Sequence, residues 1–228
     1  MVAIFVVATI IVFLVIDYFV QRAEKRKVPQ AISVSAKTRF IIPKGYFFGK
    51  GHTWIELLPG NLARVGLDDF AQKIIGRIDD VTFRSVGDEV AKGDTLFTLR
   101  QGEKILSFRA PISGRVVSFN DELTISPDVL RKKPYSDGWA VIIKPANLEG
   151  ESKLLSRGDE AAQWLKEEIK RFRNFITSHG NTSLGGSLAA AGTTMLDGGT
   201  PVDGVMEHSS KETWQQFESD FLSNGGGK

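Results

Sequence analysis

A carboxylate and an amine stand side by side, Glu103 and Lys104, in the middle of residues 93–114, GDTLFTLRQGEKILSFRAPISG. Leu96 and Leu99 before them and Ile105 and Phe108 after them flank the polar group Gln101-Gly102-Glu103-Lys104, whose glycine suits a two-residue hairpin turn. A turn of that kind holds its tip side chain out to solvent, and Ala110-Pro111-Ile112-Ser113-Gly114 ends the second strand in a corner. A lysine amine at the tip can carry a covalently attached group, whereas a glutamate cannot serve in that role. Which of the two occupies the apex therefore separates a carrier from a non-carrier.

Little else in the chain offers chemistry. The 228 residues contain no cysteine, which excludes disulfides, thiolate zinc or iron–sulfur sites and a cysteine nucleophile. His52, His179 and His208 lie far apart and none has a metal-ligand spacing. No phosphate-cradling loop, nucleophile elbow or dinucleotide fingerprint is present. The net charge of +2 comes from interspersed signs rather than a basic stripe, so nucleic acid is not an expected partner. With no acid–base pair and no metal set, the chain reads as a non-enzyme.

The elements around the hairpin are of three kinds. Residues 1–16 hold no charged side chain and only Thr9 as a polar one, and the apolar run resumes after Asp17; about 20 such residues suffice to span a bilayer. No basic segment precedes the run and no small-x-small cleavage site follows it, which favours an uncleaved anchor over a signal peptide. Four basic residues lie within 21–27, so the N-terminus is expected outside and the rest in the cytoplasm. Asp17 reads as a solvated helix end. Past Pro145 the chain turns polar, and 159–179 reads as an amphipathic helix, with Asp159 as N-cap and Ala161, Leu165, Ile169, Phe172 and Ile176 on one stripe. Trp164 and Phe175 widen that stripe, and Lys166, Glu167, Lys170 and Arg173 lie opposite. Residues 180–200 are rich in glycine and alanine and read as a flexible linker. After them Ser209-Ser210-Lys211-Glu212 resembles a capping box that opens a helix with Trp214, Phe217, Phe221 and Leu222 on one face. An aromatic helix on such a tether is either a docking peptide or a segment folded back on its own domain, and both alternatives stay open.

The sheet region carries an ordered series of short motifs. His52-Thr53-Trp54, then 64–72 (RVGLDDFAQ), Ile75-Gly76, Ser85-Val86-Gly87 and Val90 come first. Ala110-Pro111-Ile112-Ser113-Gly114, Val116, Asn120, Pro127 and Pro134-Tyr135-Ser136-Asp137-Gly138-Trp139 follow in order. The series resembles the H protein of the glycine cleavage system, over roughly residues 52–145. That resemblance implies a mainly β fold, the lipoyl/H-protein-like flattened β-barrel of the sandwich hybrid type, and a non-catalytic carrier whose lysine, in a Glu-Ser-Val-Lys-Ala context, holds lipoate. Counted from Gly93 to Ala110 without a gap, that lysine position falls on Glu103, and Lys104 comes one residue late. A one-residue shift along a strand turns a side chain to the other face, and Arg100-Gln101-Gly102 shares nothing with Glu-Ser-Val. The expectation is a fold used without its cofactor; lipoate on Lys104 is the alternative. Lys104 at the apex and pointing away would favour the carrier, and Glu103 at the apex with Lys104 folded onto the strand would favour a binding subunit.

The sequence thus predicts a transmembrane helix at 1–21, a juxtamembrane linker at 22–44, an H-protein-like lipoyl-type domain at 45–150, an amphipathic helix at 151–180, a Gly/Ala-rich linker at 181–203 and a C-terminal docking helix at 204–228. The expected role is a membrane-anchored, non-lipoylated subunit for assembly or interaction in a cytoplasm-facing complex of the bacterial inner membrane, of respiratory or electron-transfer kind. Its expected partners are the membrane and other protein subunits, met through the helices at 159–179 and 209–222.

Overall fold

Short strands separated by glycine and asparagine turns build four antiparallel sheets among the described residues, two of them only two-stranded. The computed structural model describes residues 31–33, 40–183, 195–196, 200–201 and 203–223. The span expected at 1–21 lies outside the described residues, and among those described no helix is long and apolar enough to cross a membrane. In chain order the strands are β1 (Ala31–Ser33), β2 (Ile41–Pro43), β3 (Tyr46–Phe48), β4 (Thr53–Leu58), β5 (Leu62–Leu67), β6 (Asp80–Phe83), β7 (Glu89–Val90), β8 (Thr95–Gln101), β9 (Lys104–Arg109), β10 (Gly114–Phe119), β11 (Trp139–Pro145), β12 (Met195–Leu196) and β13 (Thr200–Pro201). The helices are α1 (Asp69–Ile75), α2 (Glu122–Ile125), α3 (Val129–Lys132), α4 (Leu148–Ser152), α5 (Gly158–Ser183) and α6 (Lys211–Phe217), the last continuing into a π-helical turn, Glu218–Leu222.

The two larger sheets have the orders β3-β4-β5-β11-β10-β7 and β6-β8-β9, and β1-β2 and β12-β13 are separate two-stranded pairs. Their inward side chains join one apolar core that contains Trp54, Val65, Leu96, Phe97, Phe108, Val116 and Ile143. The chain is mainly β in its folded body, as the sequence leads one to expect. The signature residues of the first half explain their own identities. Gly66 lies beneath the Trp54 indole: a Cβ there would sit 2.3 Å from the ring. The indole Nε1 donates to the Leu67 carbonyl at 2.9 Å. Asp68 caps α1, its Oδ1 accepting from the Ala71 N–H at 2.8 Å. The Tyr135 hydroxyl donates to the Ile41 carbonyl at 2.8 Å and accepts from the Asp69 N–H at 3.0 Å. This pair of bonds ties the second half of the chain to the first.

Four boundaries differ from the sequence reading. Phe40 and Ile42 are buried and Ile41–Pro43 is a strand, so the packed body begins inside the stretch read as linker. The long helix runs Gly158–Ser183, past the expected end at 179, and Asp159, expected as its N-cap, lies inside its first turn. Within the stretch read as a flexible linker, Met195–Leu196 pairs with Thr200–Pro201. The cap of α6 is Ser210, whose hydroxyl accepts from the Thr213 N–H at 3.3 Å; Ser209, expected as the first residue of a capping box, is instead buried.

Candidate functional site

The hairpin of β8 and β9 closes as the glycine demands. Gln101 pairs with Lys104, leaving Gly102 and Glu103 as a two-residue loop, and Gly102 takes a φ of +58° that a side chain would disfavour. The Gly102 N–H is held by the Asp79 carboxylate at 2.7 Å. Leu96, Phe97, Leu99, Leu106 and Phe108 face the core, while Ile105, one of the apolar positions flanking the turn, is 54% exposed. Glu103 is exposed on the turn and Lys104 is only half-exposed at the start of the strand.

The Lys104 amine is engaged. Its Nζ donates to the Glu207 carbonyl at 2.6 Å and to the Ser209 carbonyl at 3.4 Å, and lies 4.5 Å from the centre of the Trp214 ring. Burial lowers the ammonium pKa from its ordinary value, and the neighbouring Glu207 carboxylate works against that fall. Trp214 is fixed in turn, its Nε1 donating to the Met206 carbonyl at 2.7 Å. Nothing in their spacing along the chain connects Glu207, Ser209 and Trp214 with the hairpin, although Trp214 lies on a recognisable amphipathic face.

That face turns inward. Trp214, Phe217, Phe221 and Leu222 are all buried, so the segment folds back on its own domain rather than extending as a free docking peptide. The apolar stripe of α5 is likewise buried, with Phe172 in contact with Phe70, Phe217 and Phe221 at ring-centre distances of 5.6, 5.9 and 5.7 Å. The apolar faces expected to receive other subunits are thus occupied within the chain.

His52 is a second titratable group in an unusual setting. Fully buried, with a φ of +59°, it stacks on Phe70 at 4.7 Å. Its Nδ1 lies 2.8 Å from Asp68 Oδ2 and its Nε2 3.4 Å from Glu168 Oε1. Burial alone would push the imidazole down, but the carboxylates of Asp68 and Glu168 overcome it and hold the pKa at about 9. No substrate reaches this ring; it is an ion cluster joining β4, α1 and α5. Among the described residues no group of three His, Asp or Glu could hold a metal ion. A cleft of about 260 Å³ lined by Gly49, Lys50, Thr53, Lys92, Pro111 and Leu155 includes none of the hairpin-tip residues.

Residues 46–168, more than half of the chain, match the family model described as glycine cleavage H-protein. The chain belongs to that family. A probable glycine cleavage system H protein of Pyrococcus horikoshii is 37% identical over 125 residues, 55% of this chain and 92% of that protein. The glycine cleavage system H protein of Carboxydothermus hydrogenoformans is 34% identical over 128 residues, 56% of this chain and 97% of that protein. A crystal structure of an H protein from Mycobacterium marinum superposes with a TM-score of 0.43 at 26% identity, covering 46% of this chain and 87% of that one. Within the H-protein frame, non-catalytic as expected, the attachment position implied by the resemblance falls on Glu103, exposed in the turn. Glu103 places a carboxylate there, and the neighbouring Lys104 amine donates to two carbonyls and lies over the Trp214 ring. The segment that binds it, residues 203–223, lies outside the matched region.

Proposed function

We propose that this chain is a non-enzymatic H-protein-type subunit that works by binding other proteins through its hairpin face, without lipoate. The turn carries the reading: Glu103 stands exposed where an attachment lysine is expected, and the Lys104 amine points at the Glu207 and Ser209 carbonyls rather than away from the body. The test is incubation of the full chain with lipoate, ATP and a lipoate–protein ligase. No gain in mass is expected for the natural chain, whereas Glu103→Lys gains one lipoyl group at position 103. A lipoyl group on Lys104 of the natural chain overturns the proposal.

The relatives favour a second reading. They are H proteins by name, and that likeness supports a lipoyl-carrier function of the glycine-cleavage type, with lipoate on Lys104, more directly than it supports a binding subunit. For this chain it requires Lys104 to leave its two carbonyl acceptors. The same incubation separates the two readings.

Attachment to the bacterial inner membrane through residues 1–21, with the folded body in the cytoplasm, belongs to the proposal too. Its support is the apolar run with four basic residues behind it. The chain should stay with membranes through an alkaline carbonate wash, and a C-terminal tag should be digested only after the cells are lysed. Release by the wash, or digestion in intact spheroplasts, would contradict the placement.

A further inference from the structure

We infer that the cleft between the turn at 49–52 and the turn at 91–94 binds a small organic carboxylate with a short apolar chain. None of the hairpin-tip residues lines it, so the inference goes beyond the reading given above and does not depend on whether Lys104 carries lipoate.

Two ammonium groups border one cavity. Lys50 stands on the turn that joins β3 to β4 and Lys92 on the turn that joins β7 to β8, and both line the cleft of about 260 Å³. Among the described residues neither amine has an ion-pair partner, and no acidic side chain lines the cleft. Glu151 of α4 reaches the same corner, yet Ser113 takes both of its oxygens: Oε2 accepts from the Ser113 N–H at 2.7 Å and Oε1 from the hydroxyl at 2.8 Å. Two like charges at the rim of one concavity repel, and an anion between them relieves that repulsion.

Thr53 supplies the independent observation. It is 2% exposed and lines the cleft, and its hydroxyl has no hydrogen-bond partner among the described residues. A hydroxyl held in that way costs stability unless water or a ligand meets it. Gly49 keeps the approach open, since a Cβ there would sit 3.2 Å from the Thr53 hydroxyl oxygen and 3.3 Å from the Pro111 Cβ.

The rest of the lining selects the kind of anion. Phosphate is commonly cradled by free backbone N–H groups, and here those groups are spent. The Gly49 N–H donates to the Thr53 carbonyl at 2.8 Å and the His52 N–H to the Gly49 carbonyl at 3.1 Å, while the Lys92 N–H donates to the Ser113 hydroxyl at 2.9 Å. What remains is two ammonium groups and one hydroxyl, donors that the two oxygens of a carboxylate can satisfy. Pro111, Leu154 and Leu155 make the other wall apolar, and Leu154 is 65% exposed, a surface that a short aliphatic chain would cover. The volume lies below the roughly 300–1,000 Å³ of clefts that take drug-sized molecules, which suits a ligand of a few carbons.

The test is a titration of the isotope-labelled full chain in an uncharged detergent at fixed ionic strength, followed by the NMR signals of Thr53 and Leu155. The probes are sodium acetate, sodium butyrate, sodium phosphate and butylammonium chloride. Butyrate should shift these signals to saturation, bind about fivefold or more tightly than acetate because its longer chain meets the leucines, and bind more tightly than phosphate. Butylammonium should shift nothing. Lys50→Gln and Lys92→Gln, both on surface turns, should each weaken butyrate binding about threefold or more, and Thr53→Val should weaken it as well. Absence of saturation by butyrate, equal binding of acetate and butyrate, tighter binding of phosphate, or undiminished binding by both lysine variants overturns the inference. Should Thr53→Val disturb signals throughout the sheet, the two lysine variants decide.

Discussion

Lys104 and Glu103 differ by one position, and the strand makes that difference one of direction. The first residue of β9 turns toward the segment at 207–214 and the turn residue faces solvent. A lysine amine bonded to two carbonyls contributes to holding that segment, so Lys104→Met should loosen it by about 1–3 kcal/mol, as loss of a charge-assisted bond does; hydrogen exchange across 204–214 measures this, and unchanged protection contradicts it. His52 offers a pH test. Its pKa is raised from 6.5 to about 9 in the folded chain, so the stability it contributes is complete below about 6.5 and lost as pH rises toward 9. The urea midpoint should fall over that window, and His52→Gln should flatten the fall; equal slopes in both chains would contradict the ion cluster. Gly66→Ala should cost about 1–3 kcal/mol in thermal unfolding, because its Cβ meets the Trp54 ring. Of these sites the sequence shows the Gly66 and Asp68 motif plainly. The Lys104 contacts were hidden, since residues 103 to 105 positions apart meet only through the fold.

At the scale of elements, α5 is the piece most readily foreseen. Ala161, Leu165, Ile169, Phe172 and Ile176 are buried as their spacing implies, and Lys166, Glu167, Lys170 and Arg173 are exposed. Periodicity reveals a face but not its neighbour, which explains why the aromatic face of α6 was equally compatible with a partner and with its own domain. Phe172 shows the outcome, meeting rings from α1, α6 and the turn after it. Phe172→Ala should therefore cost about 3–5 kcal/mol, read as a lower urea midpoint, and should loosen α6 together with α5. Loss of less than about 1 kcal/mol would mean that the two elements are not packed through this ring. Strand and turn boundaries near 40 were missed because Ile41–Pro43 is too short to show a period of two.

At the scale of the whole molecule, family membership and the mainly β body agree, while at the hairpin a glutamate stands where the resemblance implies a lysine. The resemblance was legible because short motifs recur in order along 52–139. Its departure was legible too, as a one-residue offset, but only the fold shows the amine turned inward. The central claim is that this H-protein-type hairpin acts without lipoate. The most direct measurement is the mass of peptides spanning 99–109 from protein purified out of its own cells, where other proteins are lipoylated. Lys104 and Glu103 are expected unmodified in every copy; a lipoyl group on Lys104 would instead make the chain a carrier.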